Sequence, residues 1–219
     1  MGFDKLMAPL CGLPVAAHSL DRFERSNSVD EVILVVRSER QTEFEQIIYD
    51  QKFRKVSRIV AGGKERHFSV SNGLDALSPA TRLVAVHDAA RPLVSPRAID
   101  AAFALAAEKG AVSLAAPVVD TLKRADKAHQ VLESVDRIDL WGMQTPQVFR
   151  LDWLRAAYQQ VIDSGRSVTD EVSALHDAGF PVLLIPNDDW NIKITFPRDL
   201  ELAEKLIKLG EQAIRSSGS

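Results

Sequence analysis

The sequence predicts an α/β protein in which helices flank a mostly parallel sheet and an arm protrudes from one side. Three observations predict it. Short aliphatic runs alternate with longer segments of helical periodicity, as in repeated β-α units. The polar clusters fall just after the aliphatic runs, where open α/β sheets place their ligands. The alternation breaks once, between about residues 120 and 141.

Each element has its own signal. Val32–Val36 is a continuous aliphatic run, as a strand buried on both faces should be. Ser38 and Gln41 have the spacing of a capping box ahead of Phe44, Ile47 and Ile48, which recur at helical spacing. Residues 56–60 read as the next strand, ending in Gly62-Gly63, and residues 69–77 as a helix. Residues 83–87 form a third strand running into Asp88. Ser95 followed by Pro96 marks an N-cap with proline in the first turn, and the Ala-rich helix it opens stops at Gly110. Residues 112–116 are a fourth strand. Residues 120–141 are polar with scattered Val131, Val135 and Ile138, too sparse to dock a helix on a sheet; they read as an arm, a β-hairpin that pairs with another subunit. Helices follow at residues 151–164 and 169–178, then a strand at 182–185. A last helix begins at Pro197, with Leu200, Ala203, Leu206, Ile207 and Ala213 as its apolar stripe. This gives one domain over residues 1–215, arm included, and a Ser/Gly tail at 216–219.

Composition excludes several classes. With 46% hydrophobic and 26% charged residues in 219, the chain can bury a sizeable core and is neither disordered nor collagen-like. Twenty-seven Lys and Arg against 30 Asp and Glu give a formal charge of −3, so no global positive field exists to hold a nucleic-acid polymer or an anionic membrane. No apolar stretch approaches the roughly 20 residues that span a bilayer, and the N-terminus lacks a signal-peptide pattern. Cys11 is the single cysteine, which rules out an internal disulfide and fits a reducing compartment. The reading is a soluble, cytoplasmic protein.

The polar clusters point to phosphate chemistry. Gly62-Gly63 lets backbone approach a flat ring or a phosphate, although two glycines alone are more simply a left-handed turn. Arg66 and Ser69 follow on the next helix. Asp88 ends a strand, where a carboxylate is costly unless paired or bound to a metal; it suits Mg²⁺, and an ion pair with Arg91 that fixes the turn is the plainer alternative. His87 reads as a packed strand residue. Thr121, Lys123, Arg124 and Arg137 lie on the arm, Thr145 precedes Pro146, Thr169 opens Asp170-Glu171, and Lys193 sits in a short apolar segment that reads as a strand. Hydroxyls and cations at segment ends are what a phosphate ester requires, although N-capping explains Thr169 equally well. Gly-x-Ser-x-Gly, a Cys/His pair and the Walker lysine motif are all absent, so nucleophilic acyl chemistry has no support.

Six segments occur in order: GGKERHFSVSNGL (62–74), VHDAARP (86–92), APVVDTLK (116–123), TPQ (145–147), TDE (169–171) and NIKIT (191–195). Together they closely resemble the 2-C-methyl-D-erythritol 4-phosphate cytidylyltransferases of non-mevalonate isoprenoid synthesis, from about Lys5 to Leu206. The resemblance implies a Rossmann-like nucleotidyltransferase sheet, a homodimer built by the arm, CTP as co-substrate and Mg²⁺ as the divalent cation. It implies that Lys5 neutralises the triphosphate, that Gly62, Gly63 and Ser69 contact cytosine, and that Asp88 serves the metal and the ribose side, with Arg91 close by. It further implies that Thr121, Arg137, Thr145, Thr169 and Lys193 form the acceptor site, with Arg137 coming from the partner's arm and, together with Lys193, positioning the attacking phosphate.

The sequence departs from this pattern at its start. Family members open with a strand and an Ala-Ala-Gly-x-Gly-x-Arg-Met-Gly phosphate loop, of which only Met1-Gly2 has a counterpart here. The expectation is a further segment or a displaced start, since loss of that strand exposes two neighbouring edges and loss of the loop weakens CTP binding and turnover. Two rival functions are a cytidylyltransferase for another polyol phosphate, such as ribitol 5-phosphate, and a nucleotide-binding homologue with impaired catalysis.

Overall fold

The aliphatic runs become strands and the periodic segments helices in a computed structural model of the chain, which describes residues 4–165, 168 and 170–217. A short hairpin, β1 (Pro9–Leu10) and β2 (Leu13–Pro14), leads into α1 (Val15–Arg25). Then come β3 (Val32–Val36), a 3-10 turn at Ser38–Arg40, α2 (Gln41–Gln51), β4 (Val56–Ala61), α3 (Arg66–Asp75), β5 (Leu83–Val86) and α4 (Pro96–Lys109). β6 (Ala111–Pro117) precedes the arm strands β7 (Leu122–Ala125) and β8 (Val131–Val135). After the arm lie β9 (Trp141–Arg150), α5 (Leu151–Ser164), α6 (Glu171–Asp177), β10 (Leu183–Pro186) and α7 (Pro197–Ser217).

The sheet is mixed rather than mostly parallel. Its larger part has the order β10-β6-β9-β5, with β9 antiparallel to both neighbours; β10 with β6, and β3 with β4, are the parallel pairs. β9 has no counterpart among the predicted strands. Its polar Gln144 and Gln147 and the central Pro146 argue against a buried strand, yet the β6–β9 register shifts between Ser113 and Ala115, so Gln144 to Pro146 bulge out of the ladder. Further corrections concern caps. Ser38 starts the 3-10 turn and makes no side-chain cap to α2. Asp170, not Thr169, caps α6, its carboxylate accepting from Ser173 N at 2.9 Å; Thr169 itself lies outside the described residues. Residues 191–195 form no strand, and α7 runs into the segment read as a tail. α1 is not among the predicted helices, although Val15, Ala16, Ser19, Leu20 and Phe23 have helical spacing and are buried.

Two cores result. Phe149, Leu154, Tyr158 and Leu175 pack β9 against α5 and α6, while Leu20, Leu34, Phe44 and Ile47 pack β3 against α1 and α2. Among the described residues β3 pairs only with β4 and β5 only with β9. One groove of about 1180 Å³ is lined by both strands, with Phe23, Phe44 and Phe103 along its walls.

The α4–β6 junction fixes where the central strand begins. Ser95 caps α4, accepting from Ala98 N at 3.2 Å, and Gly110 ends it at φ +88°. A Cβ on Gly110 would stand 2.4 Å from the Trp153 ring, which is itself stacked on Phe180 at 4.9 Å and has little room to move. Gly110→Ala is therefore expected to cost about 3 kcal/mol, from positive φ and overpacking together. Gly165→Ala, at φ +64° with nothing within 4 Å of the new methyl, should cost only about 1 kcal/mol. Urea unfolding of both variants checks the difference.

Candidate active site

One end of the groove is polar. Lys5, Gly62, Gly63, Arg66, Ser69, Asp88 and Lys193 all line it, so segments separated by as much as 188 positions meet there. The 62–69 turn is tight. Ser69 Oγ accepts from Gly63 N at 3.0 Å, and a Cβ on Gly63 would lie 2.4 Å from that of Phe68, which excludes any side chain at that position. A plate of exposed backbone with a hydroxyl beside it is what the glycine pair provides.

Asp88, just beyond β5, is the electrostatic centre. Lys193 Nζ lies 2.7 Å from its Oδ2, and Arg91 Nε lies 3.9 Å from the same oxygen. Burial raises the pKa of the Asp88 carboxyl, but the Lys193 hydrogen bond and charge, with Arg91 and Arg66 behind them, more than offset this and hold it below the usual carboxylate range. Of the two sequence readings of Asp88, the ion pair with Arg91 is present, and Asp88 is paired more closely still with Lys193. Arg91 is a strut, donating to Asn191 O at 2.7 Å and Met143 O at 3.2 Å and thereby tying the turn after β5 to β9 and to the segment carrying Lys193.

Behind Asp88, Thr145 and His87 form a proton-ordered relay. His87 Nε2 lies 3.2 Å from Arg91 O, and a carbonyl can only accept, so Nε2 carries the proton. Nδ1 then accepts from Thr145 Oγ1 at 3.1 Å, and Thr145 Oγ1 in turn accepts from Asp88 N at 3.0 Å. Thr145 is only 5% exposed, and its hydroxyl holds the Asp88 backbone in place. Gln144, Asn187 and Asn191 continue this polar layer: both asparagines donate to Gln144 Oε1, at 2.9 and 3.1 Å, and Asn191 also donates to Thr145 O at 2.9 Å. The sequence reading passes over these residues; the amide-rich text around 144–147 and 187–191 is the signal that could have found them.

Thr121 and Arg137 do not line the groove of their own chain. Both are exposed on or beside the arm, where Arg137 hydrogen-bonds to the Val119 carbonyl. A metal fits only in part. No cluster of three or more His, Cys, Asp or Glu exists among the described residues, and Asp88 offers a single carboxylate next to Lys193. That donor set suits a hard cation whose other ligands are phosphate oxygens and water.

The match to known proteins is extensive. The family model described as "2-C-methyl-D-erythritol 4-phosphate cytidylyltransferase" matches residues 1–209. The chain belongs to this family. A cytidylyltransferase of that name from Pelotomaculum thermopropionicum is 42% identical over 210 residues, covering 95% of this chain and 88% of the relative. One from Alkaliphilus metalliredigens is 39% identical, covering 96% and 89%. The crystal structure of the Thermus thermophilus cytidylyltransferase superposes with a TM-score of 0.80 at 28% identity, covering 93% of this chain and 94% of that one. Family membership makes this chain a nucleotidyltransferase on an α/β fold, and among its described residues no helix is long and apolar enough to cross a membrane.

The His87 relay makes stability depend on pH. Burial against Phe23, 4.8 Å away, lowers the His87 pKa from 6.5 to about 4, despite the Arg91 carbonyl and the Asp88 charge favouring protonation. The folded state keeps this imidazole neutral while the unfolded chain protonates it, so stability is complete above about pH 6.5 and falls as the pH drops towards 4. The linkage amounts to on the order of 3 kcal/mol. Melting of wild type and His87→Gln from pH 7 to 4 is expected to show a steeper decline in the wild type; parallel curves would contradict the relay.

Proposed function

We propose that the groove transfers CMP from CTP to 2-C-methyl-D-erythritol 4-phosphate, releasing pyrophosphate. The observation that carries this reading is the meeting, at one groove end, of the glycine plate, Ser69, Asp88, Lys5 and Lys193, in a chain of the cytidylyltransferase family. Gly62, Gly63 and Ser69 hold the cytosine, and Asp88 lies on the ribose and phosphate side.

The chemistry needs charge control rather than a base. A phosphate monoester has a second pKa near 6 and is largely a dianion at neutral pH, so its oxygen is already a nucleophile. The difficulty is bringing a dianion to a tetra-anion. Lys5 and Lys193 cancel that repulsion and align the acceptor oxygen with the α-phosphorus. The new P–O bond forms there as the bond to the β-phosphate bridging oxygen breaks, and pyrophosphate leaves with that electron pair. Asp88 is the residue that would hold Mg²⁺, which when bound supplies positive charge to the triphosphate.

We assign Thr121 and Arg137 to the partner's site in a homodimer, with Thr145 and Arg91 supporting the acceptor side from behind and Thr169 as a further acceptor-site residue. The exposed apolar residues Val119, Val131, Leu132 and Ile138 on and beside the arm favour a buried interface there. The enzyme is read as one cytoplasmic domain with its arm.

Lys193→Ala is expected to lower turnover at least about 100-fold, the scale of one preorganised charge in phosphoryl chemistry, with the melting temperature little changed. Near-normal turnover would refute its role. Offering ribitol 5-phosphate as the acceptor tests the substrate, and faster CDP-ribitol formation would reassign it. Arg137→Ala and Lys193→Ala are each expected to be inactive alone yet to recover about a quarter of wild-type activity when unfolded and refolded together, because half the dimers would be mixed and each would hold one intact site. No recovery would place Arg137 in its own chain's site.

A further inference from the structure

A forked ion pair stands beside the groove and has no part in the reaction described above. Arg66 lies in the first turn of α3, lines the groove with Gly62, Gly63 and Asp88, and keeps 36% of its side chain exposed. Its two terminal nitrogens fork onto the two oxygens of Glu171, the NH2 contact at 2.7 Å. Glu171 opens α6 and its side chain is fully buried. Tyr158 of α5 donates its hydroxyl to Glu171 Oε1 at 2.8 Å. A carboxylate in that position is costly to desolvate and is retained only with partners of this quality. Burial and the neighbouring carboxylate hold the Tyr158 hydroxyl protonated throughout the working range, so it remains a donor.

The geometry leaves part of Arg66 unspent. A guanidinium has five N–H donors in one plane, and an end-on fork uses one on each terminal nitrogen. Because the buried Glu171 carboxylate is held by Tyr158, the plane of the guanidinium is fixed, and the N–H groups left over by the fork belong to a side chain that lines the groove together with the glycine turn and Asp88. Without Glu171 an arginine in this half-exposed place would sample many rotamers and lose that freedom on each binding event. The same contact ties the 62–69 turn to the start of α6.

We propose that Glu171 is a positioning residue for nucleotide binding, orienting Arg66 so that its free N–H groups receive an anionic oxygen of the bound nucleoside triphosphate. The proposal rests on the reading that CTP occupies this groove. It makes Glu171 act through Arg66 alone, which a merely structural carboxylate would not do.

The test is CTP affinity by calorimetry on wild type, Glu171→Gln, Arg66→Ala and the double variant, with melting temperatures recorded for each. Glu171→Gln and Arg66→Ala are each expected to raise Kd about tenfold, which is about 1.4 kcal/mol, and the double variant no further than Arg66→Ala. An unchanged Kd in folded Glu171→Gln would overturn the proposal, as would a double variant whose effects add. If one single variant fails to fold, as when Arg66→Ala strands the buried Glu171 carboxylate, the double variant, which lacks both charges, is compared with the other: equal affinities support the proposal and a further tenfold loss overturns it. Wild-type protein that neither binds CTP nor releases pyrophosphate would instead refute the functional reading itself.

Discussion

A carboxylate at the end of a half-buried strand has to be compensated before a chain can close around it, and the compensation of Asp88 ties its own turn to two distant segments. Lys193 brings in the stretch after β10, and Arg91 braces that stretch against β9 through two carbonyls. Thr145 holds the Asp88 amide from β9, and His87 orders the proton on Thr145. These groups are hydrogen-bonded to one another in turn, so the charge is carried by a polar layer rather than by one ion pair. The geometry of the reactive end follows from that layer. Its cations are placed by what they must neutralise in the free protein.

Much of the strand and helix order was legible because the aliphatic runs at Val32–Val36, Leu83–Val86 and Ala111–Pro117 have no soluble alternative to burial, and because Ser95-Pro96 and Gly110 punctuate α4 with unambiguous chemistry. The polar lining of the groove was legible for a related reason: a strand-end carboxylate such as Asp88 is costly unless it is compensated. β9 was not legible. Its inner residues are glutamines that find partners only in three dimensions, among Asn187, Asn191 and Asp170, and its proline is tolerated only because of a bulge. Arg91 and Thr145 could be located but their tasks could not, since a sequence shows a donor without showing whether protein or ligand has already claimed it. Glu171 was visible merely as the last letter of a motif.

The arm obeys a different economy from the rest of the chain. Its strands are held by their own ladder and by surface pairs such as Arg124 with Glu133 at 2.5 Å, while several of its largest apolar side chains face outward. Pairs of that kind contribute little on their own. An element so poorly rewarded within its own chain is consistent with selection for something it does beyond it.

The groove draws on segments far apart in the chain, which links binding to folding. The glycine turn with Arg66 follows β4 and Asp88 follows β5, and both line the same groove. A ligand seated there touches both segments only when the chain is folded. Whatever free energy it gains by binding is therefore added to the stability of the fold, in proportion to the logarithm of its concentration over Kd once that ratio is large.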